Sequence, residues 1–329
     1  AFGDDYELPS ERAYAETCAT IADLHWTWRM LLAGGAAGTA RYAETIEREV
    51  HNALAASVDA TGTKFFYSNP LQQRPDRFSE ENAPRERTPW YACACCPPNI
   101  ARTVAQMSSY VASTTSAQGG QTGGEPGGQP GGQTGGELWL HQIAAAEIDL
   151  PQHLGDGVLR VETTYPTGAA VEITVHGHVE PGARLAVRVP SWSAASVLAT
   201  PDGPVAASDD GYAHVDLVEG ATYTLELDVS PRWTRGHHKV DAVRGCLALE
   251  RGPVVYCVEQ ASLPEGAVVD DLVLTGDAAV EAGPRELHVT VTSAAAESDL
   301  YPTIAPRPAA SPDAVTTPAL QSALQAYTD

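Results

Sequence analysis

Lysine is almost missing from this chain of 329 residues: only Lys64 and Lys239 occur, and the other basic residues are arginine. Basic residues together number 20 against 42 acidic ones, a net charge of −22. That balance opposes binding to nucleic acid or to an anionic membrane surface, because phosphate contacts are made by Lys and Arg. It favours a neutral or cationic partner, and a neutral sugar would fit. No run of 18 apolar residues occurs, so no membrane span is expected. The start, Ala1-Phe2-Gly3-Asp4-Asp5, lacks both a signal-peptide pattern and an initiator Met. The six cysteines are too few and too unevenly spaced for a disulfide scaffold in a chain this long. A reducing compartment, and hence a cytoplasmic location, is expected.

The cysteines that are present are concentrated. Cys93, Cys95 and Cys96 fall within four positions, in Cys93-Ala94-Cys95-Cys96-Pro97-Pro98-Asn99. Adjacent cysteines do not readily pair with each other. Placed just before a helix, they suit a soft metal or a reactive thiolate.

The pattern along the chain is helix first and strand later. Apolar residues at helical spacing predict helices over 19–32, closed by Gly34-Gly35, and over 41–56. A short strand is expected over 63–67 and a polar loop over 70–89. A third helix is expected near Pro98, with Ile100, Val104, Met107 and Val111 as its apolar stripe. Residues 118–137 are Gly- and Gln-rich and cannot bury enough surface to offset chain entropy, so they read as a linker or loop insertion. Beyond them, alternating segments predict strands over 138–143, 158–164, 170–175, 184–189, 213–217 and 223–229, the spacing of a β-sandwich. Another β unit starts near Val243, with strands on either side of the turn Arg251-Gly252-Pro253. The Pro-rich tail after Pro302 is expected to be poorly ordered. The domain reading is therefore 1–115 helical, 116–137 linker or insertion, 138–236 β-sandwich and 237–329 second β domain with its tail. The fold class is multidomain, α plus all-β.

Glu16-Thr17-Cys18 is the second chemical element. On a regular helix, residues two apart face opposite ways; in extended chain they face the same way. For Glu16 and Cys18 to share a ligand, the helix must begin at or after Cys18. Glu16, Cys18, Cys95 and Cys96 supply one carboxylate and three thiols, a donor set that tetrahedral zinc accepts. Two other readings stay open: a purely structural zinc, and cysteines that serve only as small buried hydrophobes. Cys246 and Cys257, inside apolar β-like runs, take the last reading. His25 reads as a core histidine, and His176, His178, His237 and His238 as surface residues.

The segments AFGDDYELP (1–9), RAYAETCA (12–19), KFFYSNPL (64–71), PWYACACCPPNIAR (89–102) and ALERGPVVYCVE (248–259) resemble the β-L-arabinofuranosidase family, glycoside hydrolase family 127. The resemblance implies the C-terminal part of an (α/α)6 catalytic barrel followed by β-sandwich domains. It also implies a retaining hydrolase whose nucleophile is a zinc-bound cysteine. By position, Glu16, Cys18, Cys95 and Cys96 are the implied zinc ligands and Cys95 the implied nucleophile. Cys93 belongs to the motif without being an implied ligand. Tyr67 corresponds to a residue near the sugar pocket. The implied partner is an oligosaccharide or glycoconjugate containing L-arabinofuranose, with homodimerisation of the full-length form left open. The family's acid/base glutamate lies just before the AFGDDYELP segment, so the 329 residues by themselves are expected to be inactive or nearly so. From another class, a non-catalytic glycan- or partner-binding protein with a structural zinc is the alternative.

Overall fold

In a computed structural model, residues 3–12, 15–34, 39–74, 84, 86–115, 135–260, 263–274, 279–283, 286–294 and 324–326 are described. Most of the glycine-rich segment and most of the tail therefore lie outside the described residues. The chain forms two contact units. One comprises residues 15–69 and 86–230; the other comprises 1–14, 70–85 and 231–329. Helices are few and β-structure prevails. Among the described residues no helix is long and apolar enough to cross a membrane.

The first unit begins with α1 (Thr17–Ala33), whose Ile21, Leu24 and Leu31 are buried at helical spacing. The Gly34 N–H closes the helix on the Met30 carbonyl at 2.9 Å. α2 (Thr39–Glu49) buries Ala43 and Ile46 and runs on into a π-turn, Val50–Leu54, which buries Leu54. These side chains and Tyr110 form one apolar cluster. The third helix, α3 (Cys96–Ala105), starts two residues before the expected position. It also ends earlier than its apolar stripe suggested. Met107–Tyr110 is a 3-10 turn, and the chain then enters a strand, β1 (Ala112–Thr115). No strand forms over 63–67; Phe65 only bridges Val58 and Thr88. The aromatic residues there are tied by isolated backbone hydrogen bonds, Phe65 with Thr88 and Phe66 to the Ser57 carbonyl, rather than by a ladder.

Nine further strands complete the unit: β2 (Glu137–Leu140), β3 (Ala146–Asp149), β4 (Val158–Thr163), β5 (Ala170–His176), β6 (Arg184–Arg188), β7 (Val197–Thr200), β8 (Gly203–Ala206), β9 (Tyr212–Asp216) and β10 (Thr222–Glu226). They form a four-stranded sheet, β1-β2-β6-β9, and a six-stranded sheet, β3-β4-β5-β10-β7-β8. Every pair is antiparallel except β2 with β6, which is parallel. Strict alternation in β4 and β5 sends Leu159, Val161, Val171, Ile173 and Val175 inward. They meet Leu138, Leu140, Leu185 and Val187 of the smaller sheet in one core.

The smaller sheet is buried on both faces, which explains why β6 reads as a continuous buried run. Trp139, Ala186 and Tyr212 point away from the core and pack with Ala40 of α2. A polar network crosses the same contact. Glu47 of α2 pairs with Arg188 of β6, and both side chains are buried. The Tyr165 hydroxyl donates to Glu47 at 2.6 Å, and the Trp192 indole N–H reaches its other oxygen at 3.5 Å. Arg188 Nε donates to the His141 carbonyl at 2.6 Å, and the His141 ring bridges Ser113 and Tyr212 at 2.8 and 2.7 Å.

In the second unit, β11 (Arg232–Arg235), β12 (Leu247–Arg251) and β13 (Val254–Tyr256) form an antiparallel meander. The turn between β12 and β13 places Gly252 at φ 55, a conformation glycine takes without steric cost. Residues 324–326 of the tail pair with β12 in parallel. Leu249 and Tyr256 centre this unit's core, with Trp233 and Leu274 packed against them.

Candidate metal and thiol centre

The backbone around Glu16 is fixed before the side chains meet. Glu16 bridges Ser68, the Thr17 N–H donates to the Tyr67 carbonyl at 2.9 Å, and the Thr17 hydroxyl donates to the Phe66 carbonyl at 2.8 Å. Glu16 therefore lies outside the helix, extended at φ −77, ψ 135. The helix begins at Thr17, one residue earlier than the shared-ligand argument required. The argument's physical content survives, because only Glu16 has to leave the helical conformation for its side chain to approach that of Cys18.

The other two thiols come from the start of α3. Cys95 stands at the N-cap position, without a side-chain capping bond, and Cys96 is the first residue of the helix. Pro97 and Pro98 follow without penalty, since first-turn N–H groups have no partner within the helix. The positive end of the helix dipole lies beside both sulfurs and favours their ionised forms.

The four side chains converge. Cys96 Sγ lies 3.7 Å from Cys18 Sγ and 3.7 Å from Cys95 Sγ. Cys95 Sγ lies 3.6 Å from a Glu16 carboxylate oxygen. All four candidate ligand atoms lie within 4.8 Å of one another. Zinc–sulfur bonds of about 2.3 Å in a regular tetrahedron set sulfurs about 3.8 Å apart, and a mixed sulfur–oxygen edge is about 3.5 Å. These three separations match both and the remaining pairs lie within 4.8 Å, so the donor set fits a tetrahedral zinc. They are too long for a disulfide, and all six cysteines are free.

The surroundings explain why a cation suits this place. Cys96 is fully buried. Burial, followed by its hydrogen bond and charge interaction with Cys18, pushes the Cys96 thiol far above its ordinary pKa. Burial pushes Cys95 up as well. Three thiolates and a carboxylate could ionise together here only with a compensating positive charge. Asn99, one turn into α3, donates its amide N–H to Cys18 Sγ at 2.9 Å. Phe65, Tyr67 and Tyr91 wall one side, with ring centroids 5.1 Å apart for Phe65–Tyr91 and 5.8 Å for Tyr67–Tyr91. Tyr91 is held by its hydroxyl, which donates to the Phe65 carbonyl at 3.2 Å.

The structure places each residue singled out in the sequence. Glu16, Cys18, Cys95 and Cys96 come together, Tyr67 packs in the same cluster, and Cys93 is exposed beside it. Cys246 and Cys257 are half-buried in the other unit. His25 stacks on Tyr110, while His176, His178, His237 and His238 are exposed. Sequence reasoning missed Asn99 as a thiol partner. Its signal was the three-residue spacing from Cys96, which puts both residues on one helix face.

Two family profiles match the chain: "Beta-L-arabinofuranosidase, GH127 catalytic domain" over residues 1–109 and "Glycoside hydrolase family 127 C-terminal domain" over residues 231–310. The non-reducing end β-L-arabinofuranosidase of Bifidobacterium longum subsp. longum is 30% identical over 274 residues, covering 80% of this chain and 38% of that protein. A crystal structure of a GH127 β-L-arabinofuranosidase from Geobacillus stearothermophilus T6 superposes with a TM-score of 0.73 at 30% identity, covering 92% of this chain and 47% of that one. A further solved structure, titled a glycoside hydrolase, gives a TM-score of 0.72 at 27% identity over 91% of this chain and 48% of its own. The chain thus spans about half the length of these solved relatives, and less of the curated one.

Proposed function

Because the chain belongs to glycoside hydrolase family 127, we propose that it is part of a retaining β-L-arabinofuranosidase in which Cys95 is the nucleophile. Glu16, Cys18, Cys95 and Cys96 would hold a zinc ion. α1 to α3 belong to an (α/α)6 barrel in this reading, and the substrate is an oligosaccharide or glycoconjugate ending in L-arabinofuranose. The observation that carries it is the convergence of three sulfurs and one carboxylate at tetrahedral separations.

The residues' work follows from their chemistry. When bound, zinc would lower the thiols' proton affinity and keep them ionised in a buried place. Cys95 attacks the anomeric carbon and the aglycone leaves with a proton from a general acid; water then displaces the sulfur with inversion again, giving net retention. Asn99 restrains Cys18, and Cys95 is half-buried where Cys96 is fully buried. Tyr67 and Tyr91 shape an apolar wall, against which we place the sugar at Tyr67. A retaining mechanism needs an acid/base, which the resemblance assigns to a glutamate just before the AFGDDYELP segment.

The test measures metal and covalent labelling. The purified chain should bind one zinc, and Cys96→Ser should lose it while Cys246→Ser keeps it. A cysteine-directed arabinofuranosyl haloacetamide should label Cys95 selectively, with L-arabinose protecting it. Labelling spread evenly over the thiols, or zinc retained by Cys96→Ser, would refute the reading.

A further inference from the structure

The outer face of the smaller sheet is covered unevenly. Strand register sets three rows across it: Arg188 with Tyr212; then Ser113, Trp139, Ala186 and His214; then Thr115, Glu137, Arg184 and Asp216. Helix α2 closes the first row through Glu47 and the second through Ala40. The third row is partly exposed. A cleft of about 420 Å³ lies against it, lined by Thr115, Gly135, Glu137, Arg184, Ser208 and His214. That volume falls within the range of small-ligand sites.

The cleft is built from paired charges. His214 Nδ1 lies 2.8 Å from a Glu137 oxygen, and Nε2 lies 2.9 Å from an Asp210 oxygen. A carboxylate can only accept, so the ring donates from both nitrogens and is an imidazolium. Burial opposes that charge, but the hydrogen bonds to Glu137 and Asp210 outweigh it and raise the His214 pKa. Arg184 Nε lies 3.7 Å from the same Glu137 oxygen. Two negative groups, Glu137 and Asp210, are thus balanced by two positive ones, Arg184 and His214, in a chain of net charge −22. Asp216, outside the lining, is exposed and screened by solvent. A bare anion or cation gains no net attraction in such a place.

We propose that this cleft binds a neutral sugar residue. A sugar hydroxyl both donates and accepts, so one ligand can use the guanidinium and the carboxylate oxygens together without disturbing the charge balance. The ion pairs hold the side chains in place before the ligand arrives, which keeps the ordering cost of binding small. Trp139 packs edge-on against His214, with ring centroids 5.2 Å apart, and so fixes the imidazole from behind. The site uses no thiol, so it stands whether or not the zinc and nucleophile reading holds. Where that reading holds, the cleft gives the enzyme a second grip on a glycan chain.

The experiment offers the intact chain three trisaccharides that differ in charge: neutral arabinotriose, anionic trigalacturonate and a cationic glucosamine trimer. Calorimetry reads the affinity, and hydrogen exchange with mass spectrometry reads where protection falls. The expected result is binding of arabinotriose in preference to both charged trimers, with protection over 137–140, 184–188 and 208–216. Arg184→Met should weaken that binding at least about tenfold. Ser208→Trp, at an exposed turn position, should abolish the sandwich protection by filling the cleft. If Arg184→Met lowers the urea midpoint, Ser208→Trp decides. Tighter binding of either charged trimer, no protection over these segments, or unchanged protection in Ser208→Trp would each overturn the proposal. Protection confined to 88–102 would overturn it too, while supporting the catalytic reading. If the chain holds no zinc and arabinotriose still protects 184–188 and 208–216, the proposed function fails and the cleft stands.

Discussion

Replacing Arg188 by Met should be among the most damaging changes in the molecule. Arg188 is completely buried, and its partner Glu47 is nearly so. The pair joins α2 to β6, between the helices and the smaller sheet. Met fills most of the side-chain volume but removes the charge and the donor to the His141 carbonyl. Glu47 would keep only the Tyr165 hydroxyl and the longer Trp192 contact. Breaking a buried pair by removing one partner costs about 3–5 kcal/mol, because the remaining charge stays desolvated. Glu47→Leu should cost a similar amount by stranding the guanidinium. The double variant, with neither charge, should recover most of the loss, so a double-mutant cycle should return a coupling of at least about 2 kcal/mol. Urea unfolding followed by tryptophan fluorescence is the assay, since Trp192 touches Glu47 and Trp28 packs on His141. The transition that moves with these variants is the one to analyse, because the chain has two contact units. Single-variant losses below about 1 kcal/mol, or additive losses in the double variant, would show that the pair is solvated or that its charges are compensated elsewhere.

Four further outcomes are expected. Asn99→Ala should weaken zinc binding by about 10- to 100-fold in chelator competition without changing stoichiometry, because it removes the N–H restraining Cys18. Burial, with the Arg188 charge second, lowers the His141 pKa to about 3, so below pH 6.5 the unfolded chain takes up a proton that the folded one refuses. Its contribution is complete above pH 6.5 and is lost toward pH 3 at up to about 1.4 kcal/mol per unit; His141→Gln should show a visibly shallower acid slope in urea midpoints against pH. Gly211→Ala should destabilise by more than about 2 kcal/mol, since φ is +85 and the new methyl would sit 2.4 Å from the Ala40 side chain. Gly220→Ala, at φ +73 with open space around it, should cost only the conformational part, about 1 kcal/mol, in the same melts.

Much of this protein could be read from local pattern. The alternation in β4 and β5, the apolar spacing of α1 and the turn at Gly252 are short-range properties, and each appeared where the sequence put it. The donor types at the cluster were legible for the same reason: carboxylate and thiol chemistry belongs to the residue, and the adjacent cysteines stand out in the chain. Patterns near element ends misled. The stripe that ran from Ile100 to Val111 promised a longer third helix, yet the backbone turns at Met107 into a strand because Leu138, Trp139 and Leu140 offer a partner edge. The aromatic run at 63–67 has strand propensity but no neighbour that would complete a ladder beyond single bridges.

Sequence alone determined which atoms could bind a soft cation and which faces of the strands are apolar. The tertiary structure decided that those atoms meet. Residues 16 and 18 are brought to residues 95 and 96 by the Tyr67 and Phe66 carbonyls, which fix Thr17 and pull Glu16 out of the helix. It also decided that β6 carries a buried arginine, whose charge is tolerated only because Glu47, 141 residues away in the chain, reaches it. Pairings of that range depend on the closure of the whole fold, and no local propensity encodes them.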